Sequence, residues 1–313
     1  MSPLLDEEMP RLGVIGLGAM GAPMARNLLA AHGRLSIFSR SPRPDLVAAG
    51  AIVANTPREL ARQSDVILAM LPDLPELDAV LGGADGLLAA EGELLLLIGS
   101  TSSPTGVRDL AERLGAETDG RVRVVDCPVS GGVDGATAGT LSIMIGGADA
   151  DARRAAAALS PCGTPVHLGP LGAGEVAKAC NQLVVAATIT ALGEATELAA
   201  RSGLDVDAMW TLLGGGYAGS RLLTSRQERL VAGDDSPSGA AKYMVKDLAY
   251  VADIARDTGV LPALVPALRD IFAEIVDSGL GDRDISVTRR LAAERRAPAD
   301  AATTGAAADY AER

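Results

Sequence analysis

The sequence predicts an α/β domain built on a doubly wound parallel sheet, followed by an all-α C-terminal domain, and three observations carry that prediction. Short apolar runs alternate with helical stretches through the first half of the 313-residue chain. After about Gly172 the strand signal stops, and only helical periodicity follows. A glycine-rich turn, Gly16-Leu17-Gly18-Ala19-Met20-Gly21, stands directly between the first apolar run and the first helical stretch.

The expected strands are Leu12 to Ile15, Leu35 to Phe38, Ile52 to Val53, Val66 to Met70, Leu94 to Ile98, Val122 to Val125, Leu141 to Ile145 and Val166 to Leu168. Most are continuously apolar rather than alternating, as strands are when helices cover both faces of a parallel sheet. Helices are expected between them at Ala22 to Ala31, Pro57 to Gln63, Pro104 to Leu114 and Ala150 to Ala158. Glu175 to Arg201 then reads as one long helix, apolar around most of its circumference, as a helix buried between domains or at a subunit contact would be. Further helices are expected at Val206 to Leu213, Arg221 to Val231, Ala240 to Asp257 and Leu264 to Ser278. The predicted organisation is a sheet domain over 10–171, a helical domain over 172–296, and a disordered Ala/Asp/Thr-rich tail over 297–313.

Composition narrows the function classes. A chain with 48% hydrophobic and 22% charged residues has ample apolar surface to bury. Its net charge of −12 and absence of any Lys/Arg block disfavour nucleic acid and anionic membranes as partners. The uninterrupted apolar runs are far shorter than a bilayer span. Asp6, Glu7 and Glu8 near the start are unlike a secretory n-region, so a cytoplasmic location is expected. Cys127, Cys162 and Cys180 are scattered, without Cys-x-x-Cys spacing or neighbouring histidines, which predicts buried reduced thiols and no metal site.

The glycine turn is a G-x-G-x-x-G sequence in the strand-to-helix frame that gives it meaning. Gly16 allows the tight turn, Gly18 a close backbone approach to a pyrophosphate, and Gly21 helix-on-strand packing, while the helix N-terminus faces the anion. This predicts a Rossmann domain binding a dinucleotide through Gly16, Gly18, Ala19, Met20 and Gly21. An acid at the end of the second strand would hydrogen-bond the ribose of NAD, whereas an arginine accommodates the 2′-phosphate of NADP. Arg40 stands there, with Arg43 nearby and no carboxylate before Asp45, which favours NADP, with NAD as the alternative.

Lys178 lies in the most apolar helix of a chain that has only two other lysines, Lys242 and Lys246. Holding an ammonium among apolar side chains lowers its pKa toward the range useful for proton transfer, so Lys178 is the candidate general acid/base. Asn181, three residues on and therefore on the same face, could orient a substrate oxygen beside it. The structural alternative is an ion pair with Glu175, or a lysine stem lying on apolar surface with its head in water.

Four separated segments carry a resemblance to a known family. They are Gly13 through Gly16-Leu17-Gly18-Ala19-Met20-Gly21 to Met24; Asp126-Cys127-Pro128-Val129-Ser130-Gly131-Gly132 running on to Gly139-Thr140-Leu141; Gly174 through Lys178 to Asn181; and Lys246-Asp247-Leu248. Together, over roughly Arg11 to Leu291, they resemble the β-hydroxyacid dehydrogenases, which include 3-hydroxyisobutyrate dehydrogenase, tartronate semialdehyde reductase and the related 6-phosphogluconate dehydrogenases. The resemblance implies hydride transfer between a nicotinamide and a small 3-hydroxy acid or semialdehyde acid, with Lys178 as general acid/base and Asn181 fixing the reacting oxygen. It further implies that Ser130, Gly131 and Gly132 hold the substrate carboxylate, and that Leu71, Pro72, Thr101 and Lys246 line the cofactor. The chain departs from the family pattern at Ile98, where an aspartate is usual, at Ser39-Arg40, where Asn-Arg is usual, and at Gly239-Ala240-Ala241, where a bulky residue is common. Two other readings remain, an imine reductase sharing the two-domain plan and a catalytically silent dinucleotide-fold scaffold. The apolar surface of the long helix predicts at least a dimer, a homodimer or homotetramer, with active sites between the domains.

Overall fold

A computed structural model describes residues 10–295; the tail expected over 297–313 lies outside the described residues. The first part of the chain runs β1 (Leu12–Ile15), α1 (Gly21–His32), β2 (Ser36–Phe38), α2 (Pro44–Ala48), β3 (Ile52–Val53), α3 (Pro57–Arg62), β4 (Val66–Ala69), α4 (Leu74–Leu81), β5 (Leu94–Ile98), α5 (Pro104–Glu117) and β6 (Val122–Asp126). It continues through β7 (Val129–Ser130), α6 (Gly132–Ala138), β8 (Leu141–Gly146), α7 (Asp149–Leu159) and β9 (Gly163–Gly169). Among the described residues only helices follow: α8 (Ala173–Arg201), α9 (Val206–Gly214), α10 (Arg221–Ala232), α11 (Tyr243–Thr258), α12 (Val265–Asp277) and α13 (Thr288–Glu294).

The strands join in the order β3-β2-β1-β4-β5-β6-β8-β7, with β9 on β8. The six from β3 to β6 are parallel and turn back in order at β1/β4, the doubly wound arrangement in which ligands lie beyond the carboxyl ends of the strands. Successive residues of each strand feed opposite cores. Val66 and Leu68 pack with Met24, Leu28 and Leu159 on one face, whereas Ile67 and Ala69 pack with Leu60, Leu77 and Leu110 on the other. Two covered faces explain why these strands carry no polar alternation.

The doubly wound parallel sheet is as expected, and at its far end it becomes mixed. β8 runs antiparallel to β6 and β7, and β9 is parallel to β8. The β7–α6–β8 excursion is too short to carry the chain back to the start of the sheet, which a parallel neighbour would require.

Close contacts divide the chain into two compact units. One comprises residues 10–183 and 247–261 of the described chain; the other comprises 184–246 and 262–295. The change from mixed to purely helical structure comes earlier, at Ala173, because α8 begins in the first unit and ends in the second. By length and composition α8 could cross a bilayer; its first turns instead hold Glu175 and Lys178 buried within the fold. In the second unit α8 and α13 approach closely, since a Cβ on Gly193 would lie 2.6 Å from Thr288 Oγ1, and that hydroxyl donates to the Ile189 carbonyl at 3.0 Å. Trp210 is buried there and donates its indole N–H to Thr196 Oγ1.

Candidate active site

Three loops at the carboxyl ends of parallel strands build the first half of the site. After β1, Gly16 adopts φ +90°, and a Cβ there would overlap the Met70 carbonyl oxygen, so only glycine fits the turn. A Cβ on Gly21 would overlap the Gly16 carbonyl oxygen, which fixes how closely α1 approaches the strand. Gly18 differs from both: it is exposed and a Cβ on it would meet nothing within 4 Å. The protein gives no reason for a glycine at this position, whereas a phosphate drawn against its backbone does. Met20, the N-cap of α1, makes no side-chain capping bond; within the first turn the Ala22 N–H is given to the Gly18 carbonyl at 3.1 Å and Pro23 has none, which leaves the exposed Gly18-Ala19 turn as the surface open to an anion. These features fit a dinucleotide pyrophosphate.

The β4 loop lies against the β1 loop. Met70 donates its N–H to the Ile15 carbonyl at 2.8 Å. Beyond it, the Leu71 carbonyl accepts from Ser100 Oγ at 2.5 Å, and Asp73 caps α4 by accepting from the Leu74 N–H at 2.8 Å. Pro72 is exposed and Thr101 half-buried; Ser103 caps α5 by accepting from the Gly106 N–H.

At the end of β6, Asp126 fixes the start of α8. Its carboxylate is fully buried and accepts from the Gly172 N–H and the Glu175 N–H, each at 2.8 Å. Burial pushes this carboxyl above its ordinary value, although hydrogen bonds from Gly172, Glu175 and Gly174 pull the other way. Glu175 is also buried, and its carboxylate accepts from the Ser102 N–H at 2.9 Å, so the β5 loop is tied to α8 as well.

One turn further along α8, Lys178 is 7% exposed, within the first unit. Its Nζ donates to Gln182 Oε1 at 2.9 Å, and Gln182 Nε2 donates to Asp247 Oδ2 of α11 at 2.6 Å. Gln182 and Asp247 thus hold the ammonium, and the sequence reading assigned neither a role. The spacing of four residues between Lys178 and Gln182 on one helix was the signal available. Asn181 is half-buried, and its Oδ1 is buried with no hydrogen-bond partner among the described residues, which leaves an acceptor for a hydroxyl donor. Tyr250, three residues after Asp247, donates its hydroxyl to Asp73 Oδ2 at 2.5 Å.

Ser130 is half-buried at the end of β7, and Gly131 and Gly132 are exposed with φ +136° and +65°, conformations that present their backbone outward. Lys246 is half-buried on α11 and groups with the second unit. Arg40 is exposed beyond β2 and makes no hydrogen bond or ion pair with the described residues. Arg43 is occupied, donating to the Leu17 carbonyl and to Asp45, which also pairs with Arg26. The two guanidinium groups hold the Asp45 carboxyl well below its ordinary range. Cys127 is buried as expected, with its thiol pushed far up by burial, but Cys180 is exposed: α8 turns that position outward, which corrects the expectation of a buried thiol. Among the described residues no group of three His, Cys, Asp or Glu side chains could hold a metal ion.

Comparison with known proteins agrees with this geometry. Residues 11–172 match the family model described as the NAD binding domain of 6-phosphogluconate dehydrogenase. Residues 172–292 match that described as NAD-binding of NADP-dependent 3-hydroxyisobutyrate dehydrogenase. The chain is 34% identical to a probable 3-hydroxyisobutyrate dehydrogenase-like 3, mitochondrial, of Arabidopsis thaliana, over 92% of this chain and 90% of the relative. It is likewise 34% identical to the NAD-dependent L-serine dehydrogenase of Pseudomonas aeruginosa, over 90% of this chain and 98% of the relative. The solved structure of Mycobacterium tuberculosis 3-hydroxyisobutyrate dehydrogenase with L-serine superposes with a TM-score of 0.76 at 30% identity, covering 90% of this chain and 99% of that one.

Proposed function

The chain belongs to the β-hydroxyacid dehydrogenase family, and from that premise we propose that Lys178 exchanges the proton in an oxidoreduction of a small 3-hydroxy acid. It is an NAD(P)-dependent oxidoreductase acting on the CH–OH group of a hydroxy acid. The nicotinamide, when bound, supplies or accepts the hydride. The observation that carries the proposal is the burial of Lys178 with its Nζ anchored by Gln182. An ammonium so fixed donates a proton to a carbonyl oxygen during reduction, and the amine takes it back from the alcohol during oxidation. The free acceptor Oδ1 of Asn181 receives the substrate hydroxyl and sets its direction. Ser130, Gly131 and Gly132 hold the substrate carboxylate through backbone N–H groups and the serine hydroxyl. L-serine and 3-hydroxyisobutyrate, named among the relatives, share a primary alcohol two bonds from a carboxyl-bearing carbon, which defines the substrate class.

NADP is the preferred cofactor. Arg40 is free to meet a 2′-phosphate, and the nearby acid that could serve a ribose hydroxyl, Asp45, is already held by Arg43 and Arg26. A spectrophotometric screen tests both readings, with NADH and NADPH in parallel against 3-hydroxyisobutyrate, L-serine, tartronate semialdehyde and cyclic imines. Turnover of a hydroxy or semialdehyde acid, faster with the phosphorylated cofactor, is expected. Turnover confined to imines, or cofactor binding without turnover, would overturn the proposal.

A further inference from the structure

Two hydroxyls hold the segment between β4 and α4. Ser100 Oγ, at the end of β5, donates to the Leu71 carbonyl at 2.5 Å, and Tyr250 OH donates to Asp73 Oδ2 at the same distance. The segment Leu71-Pro72-Asp73 is therefore fixed at each end by a different element. It also abuts the glycine turn, for a Cβ on Gly16 would lie 3.1 Å from Leu71 Cδ2. This places it beside the strand-order reversal between β1 and β4, on the side where a dinucleotide extends away from its pyrophosphate.

Tyr250 occupies a position with a second consequence. It follows Asp247 by three residues on α11, hence on the same face, and Asp247 accepts from the Gln182 amide that anchors Lys178. One helical turn thus touches the β4 loop with one residue and the lysine network with the other, all within the first compact unit. Helical turns are stiff, so the two contacts share one reference frame.

We propose that Tyr250 is a positioning residue that clamps the Leu71–Asp73 loop through Asp73 and so fixes the nicotinamide end of the cofactor relative to Lys178. This rests on the dinucleotide-binding reading above and goes beyond it by assigning a residue that no sequence motif marks. The phenol is suited to a fixed donor's role. Burial first, then the carboxylates of Asp73, Asp247 and Glu175, push its ionisation far above the ordinary tyrosine value, so it keeps its proton throughout the working range. The bond lies wholly within the protein. It therefore pre-organises the loop, and its loss should weaken binding at that end of the cofactor rather than alter proton transfer.

The test is Tyr250→Phe, which deletes one oxygen and keeps the ring, read by fluorescence titration with NADPH and with 2′,5′-ADP, the half of NADP lacking nicotinamide. Losing a net hydrogen bond predicts NADPH binding and its KM weakened about 3- to 10-fold. Affinity for 2′,5′-ADP and the KM of the hydroxy acid should stay within about twofold. Asp73→Asn and the double variant complete a cycle: if the pair acts as one device, the double variant loses no more than Tyr250→Phe alone. Equal weakening of both ligands would show general loosening and overturn the clamp, as would unchanged NADPH affinity in a Tyr250→Phe protein whose wild type binds it. Where the wild type binds NADH and 5′-ADP in place of the phosphorylated pair, the same comparison is read with those two; a wild type that binds none of the four would overturn the clamp together with the dinucleotide reading.

Discussion

At the scale of single residues, the proposed chemistry rests on Lys178, an ammonium that the fold buries. Lys178→Ala removes the proposed proton carrier while leaving the glycine turn untouched, so kcat should fall about 10²- to 10⁴-fold with the NADPH dissociation constant unchanged; steady-state kinetics beside a binding titration checks this. Arg40 lies on the other side of the problem, in cofactor choice. Arg40→Asp replaces the proposed charge-assisted bond to a 2′-phosphate with repulsion and offers the ribose an acceptor. The ratio of kcat/KM for NADP over NAD should drop about 10- to 100-fold, and an unchanged ratio would move the discrimination elsewhere. The lysine could be read from the sequence because a charge among apolar residues is costly and lysine is rare in this chain. The spacing of Gln182 from Lys178 was readable, but the network was not, because it depends on Asp247, which is 65 residues away in sequence and meets Gln182 only after α11 has folded against α8. The same holds for Tyr250 and Asp73, separated by 177 residues.

At the scale of elements, legibility followed burial on both faces. β1, β4 and β5 were visible because two covered faces demand unbroken apolar runs, and α8 because few polar residues interrupt it. By contrast, α6 contains two glycines and owes its place to tertiary contacts: Asn27 Nδ2 donates to the Ala136 carbonyl at 2.8 Å, and Ala136 is buried in the sheet's core. α4 did have readable start signals in Asp73 and Pro75, but its short length left little periodicity to confirm them. The β1–α1 junction gives a test at this scale. Gly21→Ala drives a methyl into the Gly16 carbonyl, so α1 must shift; we expect a loss of about 1–3 kcal/mol in denaturant unfolding, with weakened dinucleotide binding. A second test lies where Asp284 ties the chain ahead of α13 to α10. Its carboxyl is fully buried, and burial alone would raise its pKa. The Ser286 N–H, the Arg226 charge and the Gly239 N–H together hold it below the ordinary 3.8. A depressed folded-state pKa contributes stability that is present above 3.8 and is lost as pH falls through the lower folded value. Asp284→Asn should therefore cost about 3 kcal/mol at neutral pH, and its unfolding free energy should decline less steeply than the wild type's between about pH 5 and pH 3.

At the scale of the whole molecule, the balance of apolar surface in the second unit points to self-association. Its interior is well filled by Ile189, Trp210, Leu230, Phe272 and Ile275. Outside that interior, however, Val184 is 63% exposed and Leu198 68% exposed on α8, while Leu212 on α9 is 77% exposed. Val184 and Leu198 are fourteen residues apart, close to four full turns, so they lie on one stripe of the helix. Single exposed leucines are ordinary, but an apolar stripe along a helix is the kind of surface that a partner covers. We propose that a second copy of the same chain covers it with the same stripe under a twofold axis, the commonest symmetry of soluble oligomers. Light scattering on the eluting protein should then give a multiple of the 31.8 kDa chain mass, two or four. Leu198→Asp, which puts a charge on the stripe while leaving the interior residues untouched, should shift that mass toward the single chain without changing the helical circular dichroism signal. A wild-type protein that elutes as a single chain at micromolar concentration would mean that the stripe stays in water, and the expected homodimer or homotetramer would be abandoned.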